Sequence, residues 1–279
     1  RPRPRHHREI LVVPLLGVES TTRRLGKVVV TTERGADTLI VIPTYNEAET
    51  LGTTIERVRK AAPRADILVV DDNSPDGTGS LADARAAADP RVQVLHRRQK
   101  SGLGDAYLDA FAWALERPYL IVVEMDADGS HPADRLPALI AAVRPGGADL
   151  SIGSRWVSGG SVVNWPRSRR VISRGGNLYA QRLLGMRVND ATAGFRAFRA
   201  DTLRAIDLDN VASHGYCFQI DLTRRVSERG LGITEVPIEF RERELGQSKM
   251  SSSIVLEAMG RVTLWGIQRL WRRLTRRAA

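Results

Sequence analysis

The segment Tyr119–Pro132, YLIVVEMDADGSHP, constrains this chain more than any other. Its apolar run reads as a strand buried on both faces, and it stops abruptly at Asp126-Ala127-Asp128. Alternation along extended chain puts Asp126 and Asp128 on the same side, roughly 6–7 Å apart. Two carboxylates that close repel, and a cation beside them relieves the repulsion. Hard ions such as Mg²⁺ or Mn²⁺ take oxygen ligands and commonly share one or two protein carboxylates with substrate phosphates. The pair therefore predicts a metal–diphosphate site. Taken alone, the same acids also suit a solvated loop or a helix N-cap.

The pattern recurs along the chain. Thr38–Pro43 is a continuous apolar run ending in Thr44-Tyr45-Asn46-Glu47, with Asn46 placed to cap a helix carrying Leu51, Ile55 and Val58. Asp66–Val70 ends in Asp71-Asp72-Asn73-Ser74-Pro75-Asp76-Gly77, and a helix follows to about Ala88. Arg91–Leu95 leads to a turn at Ser101-Gly102 and a helix through Leu115, and Asp149–Gly153 reads as a fifth strand ending in Ser154-Arg155. Strand and helix alternating over short loops predict an α/β fold, a mostly parallel sheet flanked by helices on both faces. Ligands sit at the carboxyl ends of such strands, which is where every polar cluster just named falls. No GxGxxG follows the first strand, which argues against a dinucleotide enzyme.

The second half is less regular. Residues 156–176, rich in Gly, Ser and Arg, read as a functional loop, with Arg167, Arg169, Arg170 and Arg174 as anion-binding candidates beside Ser168 and Ser173. Helices are expected at Asn177–Leu184, Asp201–Ile206 and Phe218–Glu228, and one strand at Ile233–Phe240. Ser252–Leu274 reads as a helix with two faces. Arg261, Arg269, Arg272 and Arg276 lie on one, and Met259, Leu264, Ile267, Leu270, Trp271 and Leu274 on the other. Basic amphipathic helices with Trp lie well at a bilayer surface.

Charge supports that view. The net charge of +10 is concentrated at the ends: residues 1–34 carry +5, residues 251–279 carry +5, and the body is neutral. Basic ends suit an anionic surface, membrane or nucleic acid, but the neutral body has no nucleic-acid recognition motif. Nucleic acid is therefore not an expected partner. A single cysteine, Cys217, excludes a disulfide scaffold or a cysteine zinc site within one chain. No uncharged apolar run reaches about 18 residues, so no transmembrane helix is read. The first residues have no apolar signal core. Residues 1–36 read as a basic appendage, 37–250 as the catalytic domain and 251–279 as the terminal helix.

Eight segments together resemble the dolichol-phosphate (polyprenol-monophosphate) mannose synthases, inverting members of glycosyltransferase family 2. They are IPTYNE (42–47), VVDDNSPDGT (69–78), DADGSHP (126–132), GSRW (153–156), NWPRSRRVISRG (164–175), TAGFRAFR (192–199), GYCFQID (215–221), and EVPIEF with GQSKM (235–250). The resemblance spans about three quarters of the chain and implies the Rossmann-like GT-A fold with a C-terminal amphipathic helix. It implies transfer of mannose from GDP-mannose to a polyprenyl (dolichyl-type) phosphate, with Mg²⁺ or Mn²⁺. Pro43, Tyr45 and Glu47 then belong to the nucleotide site, and Val70 and Asp72 to base and ribose. Asp126 and Asp128, with Ala127 between them, match the metal motif. Ser130 stands where many relatives have Gln, so a hydroxyl or a water replaces that ligand. Arg155, Arg169 and Ser173 match acceptor-phosphate positions, and Arg243 and Lys249 the basic pair that closes over the diphosphate. The implied location is peripheral, on the cytoplasmic face of a membrane, with a separate membrane-anchoring protein as a further expected partner. The rival within the family is a transferase using UDP-glucose or another sugar nucleotide on the same lipid.

Overall fold

The computed structural model describes residues 37–211, 216–242 and 252–278, so the appendage at 1–36 lies outside the described residues. The first strand, β1 (Thr38–Thr44), shows why a continuous apolar run is needed. Leu39 and Val41 point into one core and Ile40 and Ile42 into another, and all four are fully buried. A strand covered on both faces by helices has no solvent side to spare for polar residues.

The chain continues through α1 (Ala48–Ala61), β2 (Asp66–Asp71), α2 (Thr78–Ala88), β3 (Val92–His96), α3 (Leu103–Leu115), β4 (Ile121–Glu124), α4 (Leu136–Ala141) and β5 (Leu150–Ser154). There follow β6 (Ser161–Val163), α5 (Arg167–Leu184), β7 (Arg196–Arg199), α6 (Ala200–Ala205), α7 (Tyr216–Glu228), β8 (Ile233–Pro237), β9 (Glu239–Arg241) and α8 (Ser252–Ala278). A seven-stranded sheet runs in the order β3-β2-β1-β4-β7-β5-β8, and β6 and β9 form a separate pair. β7 is antiparallel to both neighbours, while the other pairings are parallel. Two reversals cancel, so β1, β2, β4 and β5 still present their carboxyl ends to one side.

Several local expectations change. Asn46 does not cap α1: it takes a left-handed conformation (φ 59°), and the Ala48 amide donates instead to Asp76 from the next loop, at 3.1 Å. The expected single strand at 233–240 is two, because Pro237 has no N–H for the ladder and the chain peels off to pair with β6. The expected loop at 156–176 is largely structured. Buried Trp165 anchors its middle, and α5 starts ten residues earlier than the predicted Asn177. Gly175 and Gly176 sit inside that helix with open space where a side chain would be, so neither marks a break.

The terminal helix has three faces rather than two. Val262, Trp265 and Gly266 pack on the main domain, with Gly266 against Leu183 of α5. Arg269 lies along this contact and covers Gly185, whose φ of 62° ends α5. A Cβ at Gly185 would sit about 2 Å from that guanidinium, so this turn requires glycine. Leu264, Ile267, Leu270, Trp271 and Leu274 stay exposed, joined by Leu256, while Met259, also exposed, borders a cavity against α5 and α7.

Candidate active site

The β4 carboxyl end carries the two acids. The Thr54 hydroxyl of α1 donates to the Ala127 carbonyl at 2.8 Å and pins the loop between them. The Asp126 amide donates to Nδ1 of His131 at 3.0 Å. An amide only donates, so Nδ1 accepts and the imidazole proton sits on Nε2, 3.7 Å from the Asp126 carboxylate. Buried His131, stacked on Phe195, thus fixes Asp126. Asp128 accepts from the Ser130 amide at 3.0 Å across Gly129, whose φ is +75°. The Ser130 hydroxyl is buried and makes no hydrogen bond.

Among the described residues no group of three or more His, Cys, Asp or Glu is set to hold a metal. Two carboxylates and an orphaned hydroxyl suit an ion that completes its shell with substrate oxygens, as Mg²⁺ and Mn²⁺ do. The donor set fits such an ion and does not fit a closed structural site.

Asp71 and Asp72 at the end of β2 divide the labour. Asp71 is a structural knot, accepting from the Thr44 hydroxyl (3.0 Å) and from the hydroxyl and amide of Ser74 (2.6 and 3.1 Å). Asp72 is held by Arg97, which also binds Asp109 at 2.7 Å. Burial works against the Arg97 charge, but its bonds to Asp72 and Asp109 outweigh that and raise its pKa. Lys100 lies 3.8 Å above the Tyr45 ring. Pro43, Tyr45, Glu47 and Asp72 line one cavity with Asp126, Ala127, Asp128 and Ser130. The Val70 side chain is fully buried in the core.

Arg155, Arg169 and Ser173 line the same cavity, whose volume is about 390 Å³. Arg155 binds Asp190 through Nε and Nη2 at 2.7 and 2.6 Å and Thr192 at 2.8 Å. Asp190 is fully buried, and its amide donates to Glu235 at 2.9 Å. Arg169 pairs with Glu242 and stacks 4.1 Å from the Trp165 ring. Arg243 and Lys249 lie outside the described residues. The cavity then continues between α5, α7 and α8, where Ile172, Tyr179, Ile220, Met259 and Val262 line it.

Sequence reasoning passed over Arg97, Glu124, Asp190, Arg196, Gln219, Glu235 and Glu242. His131, Arg196, Gln219 and Glu235 sat inside recognised motifs. The charged residues among those passed over gain their roles through partners far along the chain. Glu124 and Arg196 face each other across β4 and β7, both fully buried, 4.0 Å apart. Burial pushes the Glu124 carboxyl up to about 8, against Arg196, which favours its charge. Between its unfolded value near 4.5 and about 8, the unfolded chain has lost a proton that the folded chain keeps. Raising the pH across that window therefore lowers stability. Urea midpoints measured in EDTA at pH 5 and pH 8 should converge in Glu124→Gln relative to the parent; an unchanged difference would refute the buried proton.

The glycosyl transferase family 2 model matches residues 39–207. The chain is 59% identical over 239 residues to the undecaprenyl-phosphate mannosyltransferase of Micrococcus luteus, covering 86% of this chain and 98% of that one. It is 57% identical over 232 residues to the polyprenol monophosphomannose synthase of Mycolicibacterium smegmatis, covering 83% and 87%. The fold is shared with glucosyl-3-phosphoglycerate synthase from Mycobacterium tuberculosis in complex with Mn²⁺, UDP-glucose and glycerol 3-phosphate (TM-score 0.59, 22% identity, 82% of this chain and 78% of that one). It is shared also with a mannosyltransferase from Pyrobaculum calidifontis in complex with GDP-Man and Mn²⁺ (TM-score 0.51, 16% identity, 88% and 76%). With the family model spanning more than half of its length and relatives of this identity aligned nearly end to end, the chain belongs to glycosyltransferase family 2.

Proposed function

We propose that the chain transfers mannose from GDP-mannose to the phosphate of a polyprenyl (dolichyl-type) lipid, with inversion, giving a β-linked mannosyl phosphate. The observation that carries this is the cavity. Its lining brings together the acids Asp126 and Asp128, the basic and aromatic Arg155, Arg169 and Trp165, and the apolar Ile172, Ile220 and Met259. Diphosphate, phosphate and hydrocarbon each meet matching chemistry there. The names of the two relatives at 57% and 59% identity point to the same sugar and the same class of lipid.

Asp126, Asp128 and Ser130 would hold Mg²⁺ or Mn²⁺, which when bound neutralises charge growing on the leaving diphosphate. Pro43, Tyr45, Glu47 and Asp72 form the nucleotide end; the buried side chain of Val70 supports it from the core and lines no part of it. The nucleophile is a phosphate, already anionic at neutral pH, so no side chain has to take its proton. What the protein must supply is position, against repulsion between two anions. Arg155, fixed by Asp190, and Arg169 with Ser173 do this. Glu242 now occupies Arg169, and a lipid phosphate is the more highly charged partner for the same guanidinium. Arg243 and Lys249 complete the charge around the diphosphate. Asp126 and Asp128 bind and do not exchange protons with substrate.

The lipid acceptor also needs a surface. Val171, Ile172 and Leu178 of α5 are exposed, as are seven large apolar residues of α8 from Leu256 to Leu274. Among the described residues no helix is long and apolar enough to cross a membrane. These helices instead lie on the bilayer, Trp271 included, at its cytoplasmic face, beside any separate membrane-anchoring protein. The double variant Leu270→Glu, Trp271→Glu should lower binding to anionic lipid vesicles at least tenfold in co-sedimentation. Its transfer to a short acceptor in detergent should stay within about threefold of the parent. Unchanged vesicle binding would remove α8 from the interface.

The deciding assay is transfer of radiolabelled sugar to a short polyprenyl phosphate from GDP-mannose and, in a parallel reaction, from UDP-glucose labelled in its glucose. Labelled lipid from GDP-mannose alone is the expected result. Labelling from UDP-glucose alone would keep the reaction class and replace the sugar, and no nucleic acid enters either outcome.

A further inference from the structure

At the junction of the metal-side and acceptor-side halves of the cavity, Gln219 of α7 lines the wall together with Asp126, Thr192 and Gly194. Gln219 is 3% exposed. Its main-chain carbonyl accepts from Arg196 (2.9 Å) and from the Thr223 hydroxyl (2.8 Å), which locks the backbone. Oε1 of its side chain has no hydrogen-bond partner, and Nε2 is turned to the buried Glu124 carboxyl. A buried amide oxygen left without a partner costs about 1–3 kcal/mol, and native chains keep such groups mainly where a ligand or water completes them. Gly194 brings the main chain next to this point: a Cβ there would lie 4.0 Å from Oδ2 of Asp126 and 3.6 Å from the His131 ring.

The geometry points to Gln219 as the side chain that grips a hydroxyl of the transferred sugar, resting on the sugar-nucleotide donor proposed above. Whatever lies between a metal-held diphosphate and an acceptor phosphate in this cavity is the sugar itself. A carboxamide offers both a donor and an acceptor, which is what hydroxyls require. A phosphate would use only the donor, and it would face the buried carboxylate of Glu124 behind Gln219. Nε2 is turned to the Glu124 carboxyl, which leaves Oε1 for a sugar O–H. Arg196, in turn, holds Glu124 and the Gln219 carbonyl from one guanidinium. Gln219 thus reads the sugar, and Glu124 and Arg196 position it.

The test is calorimetric titration of the full chain with GDP and with GDP-mannose in Mn²⁺, for the parent and for Gln219→Met, which keeps length and removes both polar atoms. The readout is the ratio of the two Kd values. We expect GDP affinity to stay within about twofold while the GDP-mannose to GDP ratio rises about tenfold, the loss of one good hydrogen bond. A parental ratio in the variant overturns the inference. So does an equal loss for GDP, since that marks a structural role. If Gln219→Met does not fold by circular dichroism, Gln219→Asn carries the same comparison, with the amide withdrawn by one methylene. A parent that binds UDP-glucose and UDP but neither guanine ligand refutes the donor proposed above, and the same ratio is then read with the uridine pair. A parent that binds no nucleotide sugar refutes both.

Discussion

Asp128→Ala should reduce mannosyl transfer by about 10²–10³ in kcat, the usual effect of removing one group that stabilises charge in the transition state. Among the described residues, the loop after β4 offers the two carboxylates Asp126 and Asp128 to the cavity, and Asp126 is fixed by His131. Without Asp128, an ion would keep a single protein carboxylate and the Ser130 hydroxyl. The half-saturating Mn²⁺ concentration should therefore rise as the maximal rate falls, and excess metal should recover part of the rate. The fold should survive, because Asp128 lines a cavity and removing one of two neighbouring like charges relieves repulsion. Initial rates across a Mn²⁺ series, with melting curves beside them, check this. Transfer within threefold of the parent and an unshifted metal dependence would sink the metal assignment.

The second large effect falls on stability. Asp190→Ala should cost about 3–5 kcal/mol, the range for breaking a buried ion pair by removing one partner. Asp190 is fully buried and gives both carboxylate oxygens to Arg155, itself 6% exposed. Its removal leaves a guanidinium in a pocket walled by Trp156, Trp165 and Phe240. Cation–π contacts offset only about 1–2 kcal/mol of that cost. For a chain of this size the melting temperature should drop by roughly 10 °C or more. Asp190→Asn keeps the shape and half the acceptor capacity, and it should fold. Its KM for the lipid phosphate should rise at least tenfold while the KM for GDP-mannose stays near the parental value. A drop of under 2 °C in Asp190→Ala would mean that Arg155 finds water or another acid.

The sheet was legible because its signal is local. A run such as Leu39–Ile42 or Ile121–Val123 can be buried on both sides in few ways, and the polar cluster after each run marks the strand's end. Six strands were expected and lie where expected to within a residue or two, apart from the last, which Pro237 divides. The start of α5 was misjudged for an equally local reason. Its first turns carry Arg, Ser and a Gly pair, a composition that suits loops, and the helix is held there by tertiary packing at Trp165, Asn177 and Ala180. On α8 the alternation of Arg and apolar residues was real. Which apolar residues face the protein could not be read from it, because Val262 and Trp265 differ from Ile267 and Trp271 only in what stands opposite.

The sequence by itself determined the α/β class, the strand ends where polar groups gather, and the acids at 126 and 128. Each of these depends on neighbours within a few residues, through strand alternation, burial of apolar runs and the turn chemistry that follows them. Only the tertiary structure decided which charges are engaged and which ligand-facing groups are left open. Arg155 meets Asp190 after 35 residues, Arg97 meets Asp72 after 25, and Arg169 meets Glu242 after 73. Glu124 and Arg196 meet only because β7 inserts antiparallel beside β4. The electrostatic energy of such a pair depends on separation and on the local dielectric. Both are set when distant segments pack, and neither is written in the spacing of residues along the chain.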